Sequence, residues 1–152
     1  MKYFLAFLMI GTFISASSQS HSEYEVLKDM AETERKALMA ENLFLTEEES
    51  KIFWPLYNDY RKQKGVVFDK WLEVMQKFSD NFRTLTEAQA IQLMENYSAI
   101  QLEELKINAE VKKKMSKVLS SKTVMRFVQL ENKLSAYENF ESAMQIPLVI
   151  NK

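Results

Sequence analysis

Residues 45–89, LTEEESKIFWPLYNDYRKQKGVVFDKWLEVMQKFSDNFRTLTEAQ, decide the fold. Set at about 100° per residue, Phe53, Leu56, Tyr57, Tyr60, Val67, Trp71, Val74, Met75, Phe78 and Phe82 fall on one stripe. Glu48, Lys51, Asp59, Lys62, Asp69, Lys77 and Asp80 fall opposite. The pattern predicts one amphipathic helix from Thr46 to Phe82, roughly 50 Å long at a rise of about 1.5 Å per residue. Pro55 lies beyond its first turn, so a local kink is expected there. Gly65 is a second weak point. The same start occurs at both ends of the stretch. In Leu45-Thr46-Glu47-Glu48-Glu49 and in Leu85-Thr86-Glu87-Ala88-Gln89, the Thr hydroxyl can accept from the backbone N–H three residues on, and Glu49 or Gln89 can return a bond to the Thr N–H. Glu47 and Glu48 also suit the positive end of a helix dipole.

Working outward, a first helix is expected from Ser22 to Asn42, capped by Ser22, with Val26, Met30, Thr33, Ala37 and Leu38 on its apolar face and a break at Asn42-Leu43-Phe44-Leu45. The third runs from Thr86 to Val118. Its stripe reads Ile91, Met94, Tyr97 and Ser98, Leu102, Leu105, Ala109, Val111 and Lys112, Met115, Val118. The fourth runs from Ser121 to Glu141 with Val124, Phe127, Leu130, Leu134 and Tyr137 on its face. Short connections between helices make consecutive ones antiparallel. Residues 142–152 hold Ile146-Pro147-Leu148-Val149-Ile150, which reads as an extended apolar tail in need of a surface.

Composition agrees with helices. Gly11, Gly65, Pro55 and Pro147 are the only glycines and prolines, too few for the turns of a β-sandwich. At the N-terminus Lys2, the apolar run Tyr3–Ala16 and the small residues Ser15-Ala16-Ser17-Ser18 read as a cleavable signal peptide, residues 1–18, cut before Gln19. The run is shorter than the roughly 20 residues a spanning helix needs. No cysteine follows it, which excludes lipoprotein processing. Loss of residues 1–18 removes Lys2 alone among the charges, leaving 19 basic and 21 acidic side chains, a net charge of −2. That balance argues against nucleic acid, which asks for a basic face. An exported chain without Cys is held by packing, not by disulfides.

The pair of starts carries a resemblance. Leu-Thr-x-x-Gln is complete at Leu85, Thr86 and Gln89, and Leu45, Thr46 and Glu49 differ by one residue. In a small, exported, Cys-free helical chain this resembles the Spy/CpxP (LTXXQ-motif) family of periplasmic proteins, over residues 25–140. In that family the second motif often opens the last helix. Here Leu119-Ser120-Ser121-Lys122-Thr123 holds that place, keeping the Leu and lacking the Gln. The resemblance implies an all-α, elongated antiparallel four-helix hairpin over residues 19–141 that pairs with a second copy as a homodimer. It also implies ATP-independent, chaperone-like holding of unfolded envelope proteins. The alternative is an envelope-stress signalling accessory that docks one membrane sensor or anti-sigma partner. The chaperone branch tends to be basic, and this chain is not.

Trp54, Phe68, Trp71 and Leu72, on and beside the second helix's stripe, are the expected client-binding residues. Two long helices in a thin layer bury one side each, and apolar area left outside marks an interaction surface. The methionines, among them Met30, Met39, Met75, Met94, Met115, Met125 and Met144, read first as gap-fillers and second as adaptable surface. Lys112, Lys113, Lys114, Lys117, Lys122 and Arg126 form a basic cluster, read first as cations closing the third helix. No enzyme is expected: the chain has no Cys nucleophile, no Gly-x-Ser-x-Gly elbow and no phosphate-cradling glycine loop. No cofactor or metal site is expected either, since His21 is the one histidine and transition metals want imidazole or thiolate; copper(I) held by methionines stays open. Asn96-Tyr97-Ser98 matches a glycosylation sequon by chance.

Overall fold

The computed structural model describes residues 19–150, with side chains from Val26 onward, Leu27 excepted. The signal-peptide reading falls on residues 1–18 and lies outside the described residues. Those that are described form an all-α chain: α1 (Gln19–Leu43), α2 (Glu47–Asn81), α3 (Glu87–Met115) and α4 (Ser121–Gln145). No strand occurs among them. The chain divides into two compact units, meeting at Phe44 and Leu45.

The first unit contributes α1. It starts before Ser22, which is therefore inside the helix and does not cap it. Its expected apolar face is not the buried one. Val26, Met30, Thr33 and Ala37 are exposed, Leu38 is half-buried, and Arg35, Met39 and Leu43, stacked at four-residue steps, are buried. The sequence offers two loose rows here and no strong preference between them. The helix ends where Phe44 takes a left-handed backbone (φ 54°), a common way to close a helix but a costly one for a residue with a Cβ.

The second unit is built from three capped helices. Thr46 Oγ1 accepts from the Glu49 N–H (3.2 Å), and Glu49 Oε2 accepts from the Thr46 N–H (3.1 Å). Thr86 and Gln89 repeat the exchange at 3.3 and 3.0 Å. Ser120 Oγ accepts from the Thr123 N–H (3.1 Å) and opens α4. α2 continues through Pro55 and ends at Asn81, and the turn to α3 is fastened by the Thr84 N–H donating to the Asn81 carbonyl (2.8 Å).

α2 and α3 lie antiparallel along each other. The stripe expected on α2 faces inward: Phe53, Tyr57, Tyr60, Val67 and Val74 are buried, and Leu56, Trp71, Met75, Phe78 and Phe82 are half-buried. Val67 and Val74 meet Ile100, with Trp71, Met75, Leu93 and Ile107 packed around them. Ion pairs edge the seam, Lys64 with Glu104, Lys70 with Glu103 (2.6 Å) and Lys114 with Asp59 (3.4 Å). α4 returns beside the first half of α2. The Phe127 ring stands edge-on to Phe53, Tyr57 and Tyr60 at centroid distances of 5.8, 6.2 and 5.8 Å, geometry that aromatic quadrupoles favour.

Two expectations are corrected here. On α3, Ile91, Met94, Tyr97, Ser98, Leu102, Leu105 and Ala109 of the expected stripe face outward, while its Val111 and Met115 are buried as expected and are continued by Leu93, Ile100 and Ile107, which the stripe did not include. The helix carries two apolar rows on opposite sides, and periodicity alone does not say which one a partner covers. At the C-terminus, α4 runs on to Gln145, four residues past the expected end. Nothing in Glu141-Ser142-Ala143-Met144-Gln145 opposes helix. The stop comes from Pro147, whose ring forces Ile146 into the extended region (φ −87°, ψ 116°). Residues 147–150, which follow, are exposed, Leu148 at 90%.

Candidate functional site

The residues expected to bind clients divide into two places. Trp54 belongs to the aromatic cluster at the start of α2, edge-on to Phe53 (5.0 Å) and to Tyr57 (5.6 Å), and is half-buried. Phe68, Trp71 and Leu72 lie roughly 20 Å further along the helix at about 1.5 Å per residue. There Phe68 stacks on Trp71 (5.6 Å, 15° between planes), and Trp71 packs in turn on the Val67–Val74–Ile100 core. All three are half-buried. The structure thus brings Phe68, Trp71 and Leu72 together as one flank and leaves Trp54 apart, in a packing role.

The larger apolar surface was read as core. Along α3, Ile91, Met94, Leu102 and Leu105 are 51, 61, 58 and 63% exposed. Tyr137, Phe140 and Met144, at steps of three and four residues on α4, form a second exposed row. The signal that could have found the first was present: Leu93, Ile100, Ile107 and Val111 also recur at helical spacing, so α3 has more apolar residues than one seam can use. Ordered apolar rows of this kind mark contact surfaces.

The capping residues do more than open helices at one position. Leu45 and Leu85 are half-buried beside their caps. Glu49, which occupies α2's N3 position, also accepts through Oε1 from the Thr123 hydroxyl (2.9 Å), fastening the first turn of α4 to that of α2. The backbone N–H of Thr46 and the hydroxyl of Thr123 hold its carboxyl below the ordinary carboxylate range. Eight residues further on, α4 meets α2 again. The Tyr60 hydroxyl donates to Glu131 Oε2 (2.9 Å) and lies 3.0 Å from the Asn108 side-chain oxygen, with Arg61 Nη1 3.9 Å from the same carboxylate oxygen.

The remaining candidates are dispersed. Lys112, Lys113, Lys117, Lys122 and Arg126 are exposed at the α3–α4 corner, and Lys114 pairs with Asp59. Met39 and Met115 are fully buried, Met75 packs on the core, and Met30, Met94, Met125 and Met144 are exposed on three different helices. His21 lies in α1. Among the described residues no group of three His, Cys, Asp or Glu side chains is arranged to hold a metal ion, and no helix is long and apolar enough to cross a membrane. A shallow groove between α2 and α3, lined by Leu56, Asp59, Gln63, Ile107, Glu110 and Lys114, has a cavity volume of about 10 Å³, far below the roughly 300–1,000 Å³ of a small-molecule site. Compared with family models, curated proteins and solved structures, the chain matches none.

Proposed function

We propose that this chain is a periplasmic, non-enzymatic polypeptide-binding protein that holds unfolded or partly folded envelope proteins without ATP. In this reading it is exported through its N-terminal segment and works as an elongated antiparallel helical hairpin paired with a second copy. The observation that carries the reading is the surplus of ordered, exposed apolar side chains: the outer row of α3, the Tyr137–Phe140–Met144 row of α4, and the half-buried Phe68–Trp71–Leu72 flank. Such rows give a client apolar area without a shaped pocket, and exposed Met94 and Met144 can adapt to different sequences. Charged neighbours steer encounter.

A second reading rests on charge. With a net charge of −2 after removal of residues 1–18, the chain lacks the long-range attraction that serves a general chaperone. This favours a signalling accessory that docks one membrane sensor or anti-sigma partner. The two are separated by co-isolating the chain with several unrelated proteins, each offered folded and chemically unfolded. Holding activity predicts capture of several unfolded proteins and of none when folded. Capture of none would contradict it and favour the accessory.

A further inference from the structure

The corner between α3 and α4 lies outside the rows proposed to meet a client. From Val111 to Leu130 the chain carries six cations, Lys112, Lys113, Lys114, Lys117, Lys122 and Arg126, and no acidic residue, although acidic side chains outnumber basic ones in the whole chain. Lys114 pairs with Asp59. Lys112, Lys113, Lys117 and Lys122 are exposed and have no ion pair within the chain among the described residues.

Closing α3 does not require them. The carbonyls of Lys112, Lys114 and Met115 already accept from the backbone N–H groups of Ser116, Lys117, Val118 and Leu119, at 2.9–3.3 Å. A helix dipole favours cations only within its last turn, and Lys117 and Lys122 lie beyond Met115, where α3 ends. Lys122 is worse than neutral for α4. It is the second residue after the Ser120 cap, at the positive end of the dipole, in a first turn without an acidic residue. A cation at that position suits an anion outside the chain. Apolar side chains accompany the charges: Val118, in the turn, and Met125 are each more than half exposed. Met125 lies between Lys122 and Arg126, which are four residues apart and share a face of α4.

We infer that the α3–α4 corner attaches the chain to a membrane surface of anionic lipid, with Lys112, Lys113, Lys117 and Lys122 at the phosphates and Val118 and Met125 entering the headgroup layer. Clusters of roughly four to eight cations on an amphipathic element recognise such surfaces. The charge is not unopposed. The Thr123–Glu49 bond brings α4 beside the first turn of α2, which holds Glu47 and Glu48. Charge alone would therefore bind weakly, and stable attachment to lipid takes two signals, one basic and one apolar. The corner supplies both. An acidic polypeptide held specifically would need a pocket for its anchoring side chains. The groove that includes Lys114, with a cavity volume of about 10 Å³, admits none, whereas a lipid surface needs only exposed area. The attachment goes beyond the holding of clients and does not compete with it for the same side chains.

The chain has no cysteine, so an introduced thiol is its only one. The test labels the full chain at Ser121→Cys, an exposed position, with an environment-sensitive fluorophore. Vesicles of phosphatidylcholine are added, either pure or in equal parts with phosphatidylglycerol. A second full chain labelled at Asp80→Cys, exposed near the end of α2, reports attachment through any other part, the apolar run of residues 3–16 included. The expected result is a rise in emission from position 121 on the mixed vesicles only, reversed by salt, and none from position 80. Lys113→Glu, Lys117→Glu and Lys122→Glu together should weaken vesicle affinity about a hundredfold. Val118→Ser with Met125→Ser should weaken it about tenfold, with circular dichroism showing that both variants are folded. No rise from position 121, an equal rise on pure phosphatidylcholine, or an affinity unchanged by the charge reversal would overturn the proposal. So would a rise with polyglutamate and none with the mixed vesicles, which would make the partner an acidic polypeptide.

Discussion

At the scale of single residues, Glu49 joins most of the structure's logic. Its backbone-directed bond to Thr46 is local chemistry and was readable from Leu45-Thr46-Glu47-Glu48-Glu49 alone. Its bond to Thr123 was not, because it joins residues 74 positions apart. Trp54 shows the same limit in another form. Its spacing set it at the edge of the stripe, and only the positions of the Phe53 and Tyr57 rings show that it is packing. The Glu49 carboxyl is held below its ordinary value in the folded chain. Its contribution to stability is therefore present above the unfolded value and is lost as pH falls through the lowered folded value. Glu49→Gln keeps an acceptor for the Thr46 N–H and removes the charge. The wild-type chain should melt at a higher temperature than Glu49→Gln at pH 7, and the gap should close as pH falls below about 4.5. Other carboxylates are common to both chains and cancel in the difference. A gap that holds constant to pH 3 would show that the ionised carboxylate is not what fastens α4 to α2.

Among the elements, the helices differ in how far their own sequence settles their placement. α2 was legible because its aromatic stripe is broad and its opposite face is charged throughout. α4 was legible from Val124 to Leu134, and its end was misplaced because Pro147 acts only through the residue before it. α3 was legible at Val111 and Met115 and not before them: Ile91, Leu102 and Ala109 stand about 180° from Leu93, Ile100 and Ile107, and selection between the two rows comes from α2, not from α3. The distinction has a measurable consequence. Ile100→Ala removes a side chain from the seam and should cost about 2–4 kcal/mol in denaturant unfolding. Leu105→Ser, on the outer row, should stay within about 0.5 kcal/mol at protein concentrations low enough to keep the chain unpaired. Equal losses from the two substitutions would mean that the outer row is covered by the chain itself.

For the molecule as a whole, composition left few choices. A Cys-free chain with one glycine and two prolines after residue 18 has little but helix packing to hold it together, and the described residues are all-α accordingly. The division into two units at Phe44 had its counterpart in the expected break at Asn42-Leu43-Phe44-Leu45, although the sequence marked it only as a gap between helices. The candidate surface was half legible. Phe68, Trp71 and Leu72 are half-buried along one stretch of α2, Trp54 packs in the aromatic cluster, and the longer exposed row lies on a face of α3 expected to be core. The second unit leaves apolar rows exposed on α3 and α4, and those rows are the physical reason for proposing that the chain binds polypeptide. The most direct test is light scattering from a chemically unfolded model protein diluted into buffer with and without this chain. The account predicts that near-stoichiometric amounts suppress the scattering. Undiminished scattering, with the chain folded throughout by circular dichroism, would contradict it.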